Sequence, residues 1–71
     1  MSEPLRNLLD LRILLRKFGF TVYTGDRLGD LELMEEELSD LHGSGLLDRE
    51  TYMKARMLIQ REKRRESGTN I

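Results

Sequence analysis

The chain has 71 residues, the length of one small domain. Its 12 Lys and Arg residues and 13 Asp and Glu residues give a net charge of −1, which does not favour a polyanionic partner. Without cysteine it can form neither disulfides nor a thiolate zinc site. No apolar run approaches the roughly 20 residues of a membrane span, and no signal-peptide pattern opens the sequence. We therefore expect a cytoplasmic protein without a membrane partner, held together by leucine packing.

Apolar residues recur every three or four positions, which is the helical period. The first predicted helix spans about residues 4–18, with Pro4 in its first turn and Gly19 just past its end. Its inward positions are Leu8, Leu11, Leu15 and Phe18. Residues 20–24 are the one β-like stretch, and their position between two helices predicts an extended connector.

Two further helices follow the connector. The second spans about residues 26–41, with Asp26 as a candidate N-cap, and the glycine-rich run 42–45 ends it. Its inward positions are Leu28, Leu31, Met34, Leu38 and Leu41. The third spans about residues 48–66, and Asp48 is its predicted N-cap.

Three helices with short connections predict an all-α fold, a small three-helix bundle. The sequence predicts one domain over residues 1–66 and a frayed C-terminal tail over residues 67–71.

The near-zero net charge hides a separation of charge along the chain. Residues 1–23 carry a net charge of +2, residues 24–47 carry −6 and residues 48–71 carry +3. Each predicted helix therefore has its own electrostatic character, and the basic and acidic surfaces can have different partners.

Catalysis finds little support in the sequence. The chain has a single histidine, His42, which follows a predicted helix and is typical of a C-terminal cap. The acidic residues of the second helix lack an enclosing pocket that would shift their pKa values for acid–base work. We therefore expect a protein that is not an enzyme, with no cofactor, and a solvated acidic face rather than a metal site.

Basic residues near aromatic ones favour nucleic-acid binding, because cations follow a phosphate backbone and exposed rings stack on unpaired bases. The candidate nucleic-acid-binding residues are Lys17, Tyr23, Arg27, Arg61, Lys63 and Arg64. Lys54 and Arg56 lie one or two turns before the last cluster. Cations also stabilise helix C-termini, and Phe20 and Tyr23 are either core residues or exposed ones.

Self-association is a third class of function. Leu5, Leu9 and Ile13 form a second apolar line on the first helix, separate from its inward stripe. Because a small domain offers no deep core for both lines, we expect a homodimer or small oligomer. Oppositely charged helices, the third against the second, could also pair between subunits.

The sequence YTGDRLGDLELME at residues 23–35 resembles the YqgQ-like family of short bacterial proteins. Similar positions extend over residues 15–66, whereas the glycine-rich turn at 42–45 and the first helix depart most from the family pattern. Caps, a turn and core positions account for most of the motif. They leave an exposed remainder of Tyr23, Arg27, Asp30 and Glu32.

The resemblance implies a compact three-helix protein for which single-stranded nucleic-acid binding is the proposed activity. Together with the basic residues, it leads us to expect a small non-enzymatic protein that binds single-stranded DNA or RNA without sequence specificity. The alternative is a protein-interaction or adaptor module that docks through the acidic second helix or through helix one.

Overall fold

The structure is a computed structural model, and it describes residues 5–66. Three α-helices account for most of these residues. They are α1 (Leu8–Lys17), α2 (Arg27–Gly43) and α3 (Arg49–Glu66). No strand occurs within residues 5–66, and none of the helices there is long and apolar enough to cross a membrane. The predicted all-α three-helix bundle is confirmed.

The first helix begins four residues later than the sequence pattern predicts. Asn7 is its N-cap, with extended backbone and a side-chain Oδ1 that accepts a hydrogen bond from the N–H of Asp10 at 2.9 Å. This bond satisfies one of the N–H groups that have no partner within the helix. Leu5 and Arg6 are not helical. Pro4 and the predicted tail at 67–71 lie outside the described residues.

Glycines in the left-handed region end the first two helices. Gly19 has φ +82°, and the N–H of Phe20 then donates to the carbonyl oxygen of Leu15 at 3.0 Å. The same arrangement follows α2, which extends two residues past the predicted end to Gly43, with Gly45 at φ +80°. Both turns are Schellman motifs, in which glycine avoids the strain that a Cβ atom would cause.

The core lies among all three helices and the two segments that join them. Its buried members are Leu11, Leu15, Val22, Leu31, Met34, Leu38, Leu41, Leu47, Ala55 and Ile59. The helices α2 and α3 form the principal pair, and α1 packs across them with fewer contacts. Phe18 was predicted to face inward but is 38% exposed, because α1 has ended at Lys17.

Candidate nucleic-acid interface

The turn that leads into α2 is built from the family-like motif. Gly25 has φ +88°, a conformation that residues with a Cβ atom rarely adopt. Asp26 is the N-cap of α2, and its Oδ2 accepts from the N–H of Gly29 at 3.2 Å. A Cβ atom on Gly29 would lie only 2.9 Å from that oxygen, so glycine permits the close approach of the cap.

Asp30 is buried rather than exposed, which corrects the expectation from the sequence. Its side chain is 4% exposed, and its Oδ1 accepts from the N–H of Thr24 at 2.8 Å and from the Thr24 hydroxyl at 2.6 Å. The guanidinium of Arg12 lies 3.9 Å from Asp30 Oδ2 and donates to the carbonyl oxygen of Val22 at 2.9 Å.

These bonds stabilise the charged form of Asp30. The pKa of Asp30 lies below its ordinary value of 3.8, although burial alone would raise it. The largest cause is the hydrogen bond from the Thr24 hydroxyl, followed by the hydrogen bond from the Thr24 N–H. The charge of Arg12 lowers the pKa to a lesser degree. Asp30 therefore fixes the connector between α1 and α2, and this part of the motif is explained by folding.

Arg27 is engaged by carboxylates of α3. Its Nε lies 2.7 Å from Oε2 of Glu66, and its Nη2 lies 3.3 Å from Oε1 of Glu62. The other Glu62 oxygen is 3.3 Å from Nη1 of Arg65. The structure thus places Arg27 where it joins the start of α2 to the end of α3, with its positive charge largely compensated.

Lys63 has a similar role at a second place along the α2–α3 contact. Its Nζ lies 3.1 Å from Oε1 of Glu35, and Gln60 donates to the other oxygen of Glu35 at 2.7 Å. Of the six candidate residues, Arg27 and Lys63 therefore take part in ion pairs between helices.

Tyr23 is the exposed aromatic residue of the connector. Its side chain is 82% exposed, whereas Phe20 is half-buried and packs against the core. Tyr23 borders a groove of about 280 Å³ whose α1 wall includes Leu9, Ile13 and Arg16. Lys17, also exposed, is the last residue of α1. An exposed ring beside cations is able to stack on an unpaired base.

Arg61 and Arg64 line a second groove, of about 490 Å³, which does not include Tyr23. The remaining residues of this groove are Leu5, Arg6, Lys54, Met57 and Leu58. The groove thus has four cationic side chains, an apolar floor and no carboxylate in its lining.

Two of those four cations have carboxylate partners at the edge of the groove. Arg6 lies 3.6 Å from Asp10, and Lys54 lies 3.8 Å from Glu50. The side chains of Arg6, Lys54 and Glu50 are largely exposed and that of Asp10 is partly exposed, so water and salt screen the attraction in both pairs. Within residues 5–66, no carboxylate forms an ion pair with Arg61 or Arg64.

Arg6 is the groove residue that sequence reasoning missed. It is separated by more than 45 residues from the α3 cations, and it reaches them only because the segment before α1 crosses α3. No local pattern links residues so far apart, so only the tertiary fold reveals that Arg6 belongs to the groove.

His42 packs against an aromatic residue of α3. The His42 ring stacks on Tyr52 with centroids 4.3 Å apart, and the guanidinium of Arg56 lies 5.8 Å from the Tyr52 ring centroid. Three residues from α2 and α3 thus pack at the C-terminal end of α2.

Among the described residues, no group of three or more His, Asp or Glu side chains is arranged to hold a metal ion.

Comparisons with known proteins agree with the sequence motif. The family model described as YqgQ-like matches residues 5–65. The chain is also similar to a protein of Bacillus subtilis (strain 168) named "Uncharacterized protein YqgQ", with 34% identity over 53 residues that cover 75% of each chain. The family match includes the connector, the buried Asp30 and all three helices. The chain therefore belongs to the YqgQ-like family.

Proposed function

We propose that this protein binds single-stranded DNA or RNA without base specificity and without catalysing a reaction. The observation that carries the proposal is the groove in which Arg61 and Arg64 meet Arg6 and Lys54. Four cations around an apolar floor match the alternation of phosphates and bases along an unpaired strand.

In this proposal, the six predicted residues contribute unequally to nucleic-acid binding. Arg61 and Arg64 hold phosphates in the groove, and Lys17 adds positive charge at the end of α1. Tyr23 stacks on a base, an interaction of about 1–3 kcal/mol per base. Arg27 and Lys63 contribute less, because a phosphate would have to compete with Glu66, Glu62 and Glu35 for them.

The acidic outer side of α2 limits how a strand can lie on the protein. Glu32, Glu36 and Asp40 are exposed there and repel phosphates. A bound strand therefore follows the α1–α3 side, where the basic groove lies. This restriction reconciles a net charge of −1 with a polyanionic ligand.

The test is fluorescence anisotropy with a labelled oligothymidylate and a duplex of equal length over a series of salt concentrations. We expect the single strand to bind more tightly and the logarithm of its affinity to fall linearly with the logarithm of salt concentration. Arg61→Glu should weaken binding at least about tenfold. Arg49→Glu is the matched control, since it makes the same charge change at an exposed position outside the groove.

Two results would count against nucleic-acid binding. One is the absence of binding at low salt. The other is an equal loss of affinity in Arg61→Glu and Arg49→Glu, since that would reflect net charge rather than a groove.

The second candidate function is a protein-interaction or adaptor module that docks through α1 or the acidic α2. The observation that favours it is Leu9, which is 64% exposed in the outer wall of the smaller groove. If oligonucleotides do not bind, and if neutralising Glu36 and Asp40 abolishes capture of a partner from lysate, this alternative is preferred.

A further inference from the structure

The outer face of α1 carries two exposed apolar side chains beside a basic one. Leu9 is 64% exposed and Ile13, one turn later, is 39% exposed. Arg16 follows on the same side and lines the same groove. No ion pair joins Arg16 to a carboxylate within residues 5–66. This face, defined by Leu9, Ile13 and Arg16, is called the α1 face below.

The outer face of α2 has the opposite charge. Leu33 is 41% exposed, and Glu36 and Asp40 follow it at positions i+3 and i+7, which share one side of a helix. Both acidic residues are exposed. This strip, defined by Leu33, Glu36 and Asp40, is called the α2 strip below.

We propose that two copies of this chain associate with the α1 face of each copy against the α2 strip of the other. The contact then occurs twice, once on each side of a two-fold axis, as in most homodimers. Leu9 and Ile13 pack against Leu33 of the second copy, and Arg16 lies near its Glu36 and Asp40.

Charge determines which surfaces meet. In a contact between the α1 faces of two copies, neither Arg16 would find a carboxylate on the opposite face, and in a contact between two α2 strips the carboxylates would find no cation. The α1–α2 combination gives both kinds of charge a partner while it covers the apolar side chains. Because the chain itself carries both complementary surfaces, a second copy is the occupant that the charges and the exposed leucines fit.

The pairing differs from the one suggested by the sequence, which was the third helix against the second. Inside one chain, α2 and α3 already use their charges on each other, through Arg27 with Glu62 and through Glu35 with Lys63. Among the charges without an ion pair within residues 5–66, those of Arg16, Glu36 and Asp40 lie beside exposed apolar side chains of α1 and α2, whereas the α3 cations Arg61 and Arg64 line the basic groove.

The first experiment is sedimentation equilibrium of the protein alone, at concentrations from about 1 to 500 µM. We expect a reversible monomer–dimer equilibrium and at least about tenfold weaker association in Leu9→Glu, since a charge is then buried in an apolar contact. Met57→Glu is the matched control, because Met57 is an exposed apolar residue of α3 that does not line the groove beside the α1 face. Far-UV circular dichroism checks that each variant is folded.

A mixing experiment tests the α1–α2 arrangement itself. Arg16→Glu alone and Glu36→Arg alone should each dimerise at least about tenfold more weakly, since like charges then face each other at positions 16 and 36 in both contacts of each homodimer. An equimolar mixture of the two variants should recover dimer. One contact of the mixed dimer then has the natural charges, and the other has both charges exchanged.

The outcomes separate this arrangement from the others. Recovery in the mixture supports it. A monomer at every concentration, equal effects of Leu9→Glu and Met57→Glu, or no recovery in the mixture would each overturn it. If Glu36→Arg dimerises as the unmodified protein does, the α2 strip is not part of the contact and the proposal is wrong. The experiment contains no nucleic acid, so its result is independent of the proposed function.

Discussion

Asp30 shows how one buried carboxylate can organise a connector that has no secondary structure. Its two bonds to Thr24 hold the chain beside the first turns of α2, and Arg12 connects the same site to α1 and to the Val22 carbonyl. Within residues 5–66, no buried side-chain nitrogen or oxygen lacks a hydrogen-bond partner. A carboxylate so fully bonded stabilises the fold only while it is ionised.

We therefore expect Asp30 to make the stability of the protein pH-dependent in acid. Because the pKa of Asp30 is lowered in the folded state, its contribution is fully present above the ordinary value of 3.8 and is lost as the pH falls through the folded-state value. Asp30→Asn should thus lower the denaturation midpoint at pH 7, and the difference from the unmodified protein should shrink below about pH 4.

The measurement is urea denaturation followed by circular dichroism between about pH 2 and pH 7. Glu32→Gln is the control, because it removes an exposed carboxylate from the same helix without altering the connector. A constant difference between Asp30→Asn and the unmodified protein across this range would contradict the prediction.

Two glycines at similar open positions should respond in opposite directions to alanine. Gly25 has φ +88°, so Gly25→Ala should destabilise the protein by about 1 kcal/mol through backbone strain. Gly43 is helical with open space around its Cα atom, so Gly43→Ala should stabilise it by up to about 1 kcal/mol. Thermal denaturation of the pair tests this, and a stabilising Gly25→Ala would show that the turn is not restrained.

At the scale of the helices, polar side chains outside the shared core connect α2 and α3 at two places along their length. Arg27 reaches Glu62 and Glu66, and Glu35 accepts from Gln60 and Lys63. Half-exposed ion pairs of this kind contribute little singly, but a shared network contributes more than isolated surface pairs do. The two sites fix the alignment of the antiparallel helices more than they determine total stability.

Arg27 and Arg61 allow structural and binding roles to be separated. Arg27→Ala should lower the free energy of unfolding by about 0.5–1 kcal/mol and change oligonucleotide affinity by less than about twofold. Arg61→Ala should have the opposite profile, with little change in stability and clearly weaker binding, because Arg61 has no carboxylate partner within residues 5–66. Urea denaturation and anisotropy on the same preparations provide both values. If Arg27→Ala weakens binding more than Arg61→Ala, the basic groove is not the site.

The helix caps could be predicted from the sequence because their signals are local. Asp26, Asp48 and Gly19 act within four residues of themselves, and each ends or begins a helix as its residue type indicates. The contacts of the candidate nucleic-acid-binding residues could not be predicted to the same extent. The partners of Arg27 and Lys63 lie 35 and 28 residues away, and their separation along the chain gives no pattern to follow.

At the scale of the whole molecule, the two grooves offer two kinds of surface. The basic groove is lined by four cations, and the most exposed apolar side chain in its lining is that of Met57, which is less exposed than Tyr23. The smaller groove is mostly apolar, and it contains both Tyr23 and the α1 face that we propose for self-association. A strand that reaches Tyr23 and a second copy that covers Leu9 would therefore occupy the same groove.

Nucleic-acid binding and self-association should consequently compete, a prediction that rests on both proposals. A short labelled oligothymidylate of about five nucleotides, added at a protein concentration where half of the chains are dimeric, should lower the dimer fraction in sedimentation equilibrium. Under those conditions, Leu9→Ser, which removes the apolar contact without adding a carboxylate to the groove, should bind the oligonucleotide about twofold more tightly than the unmodified protein, because all of its chains rather than half are competent to bind. A dimer fraction that is unchanged when the oligonucleotide is saturating would show that Tyr23 is not shared, and that the strand is confined to the basic groove beside Arg61 and Arg64.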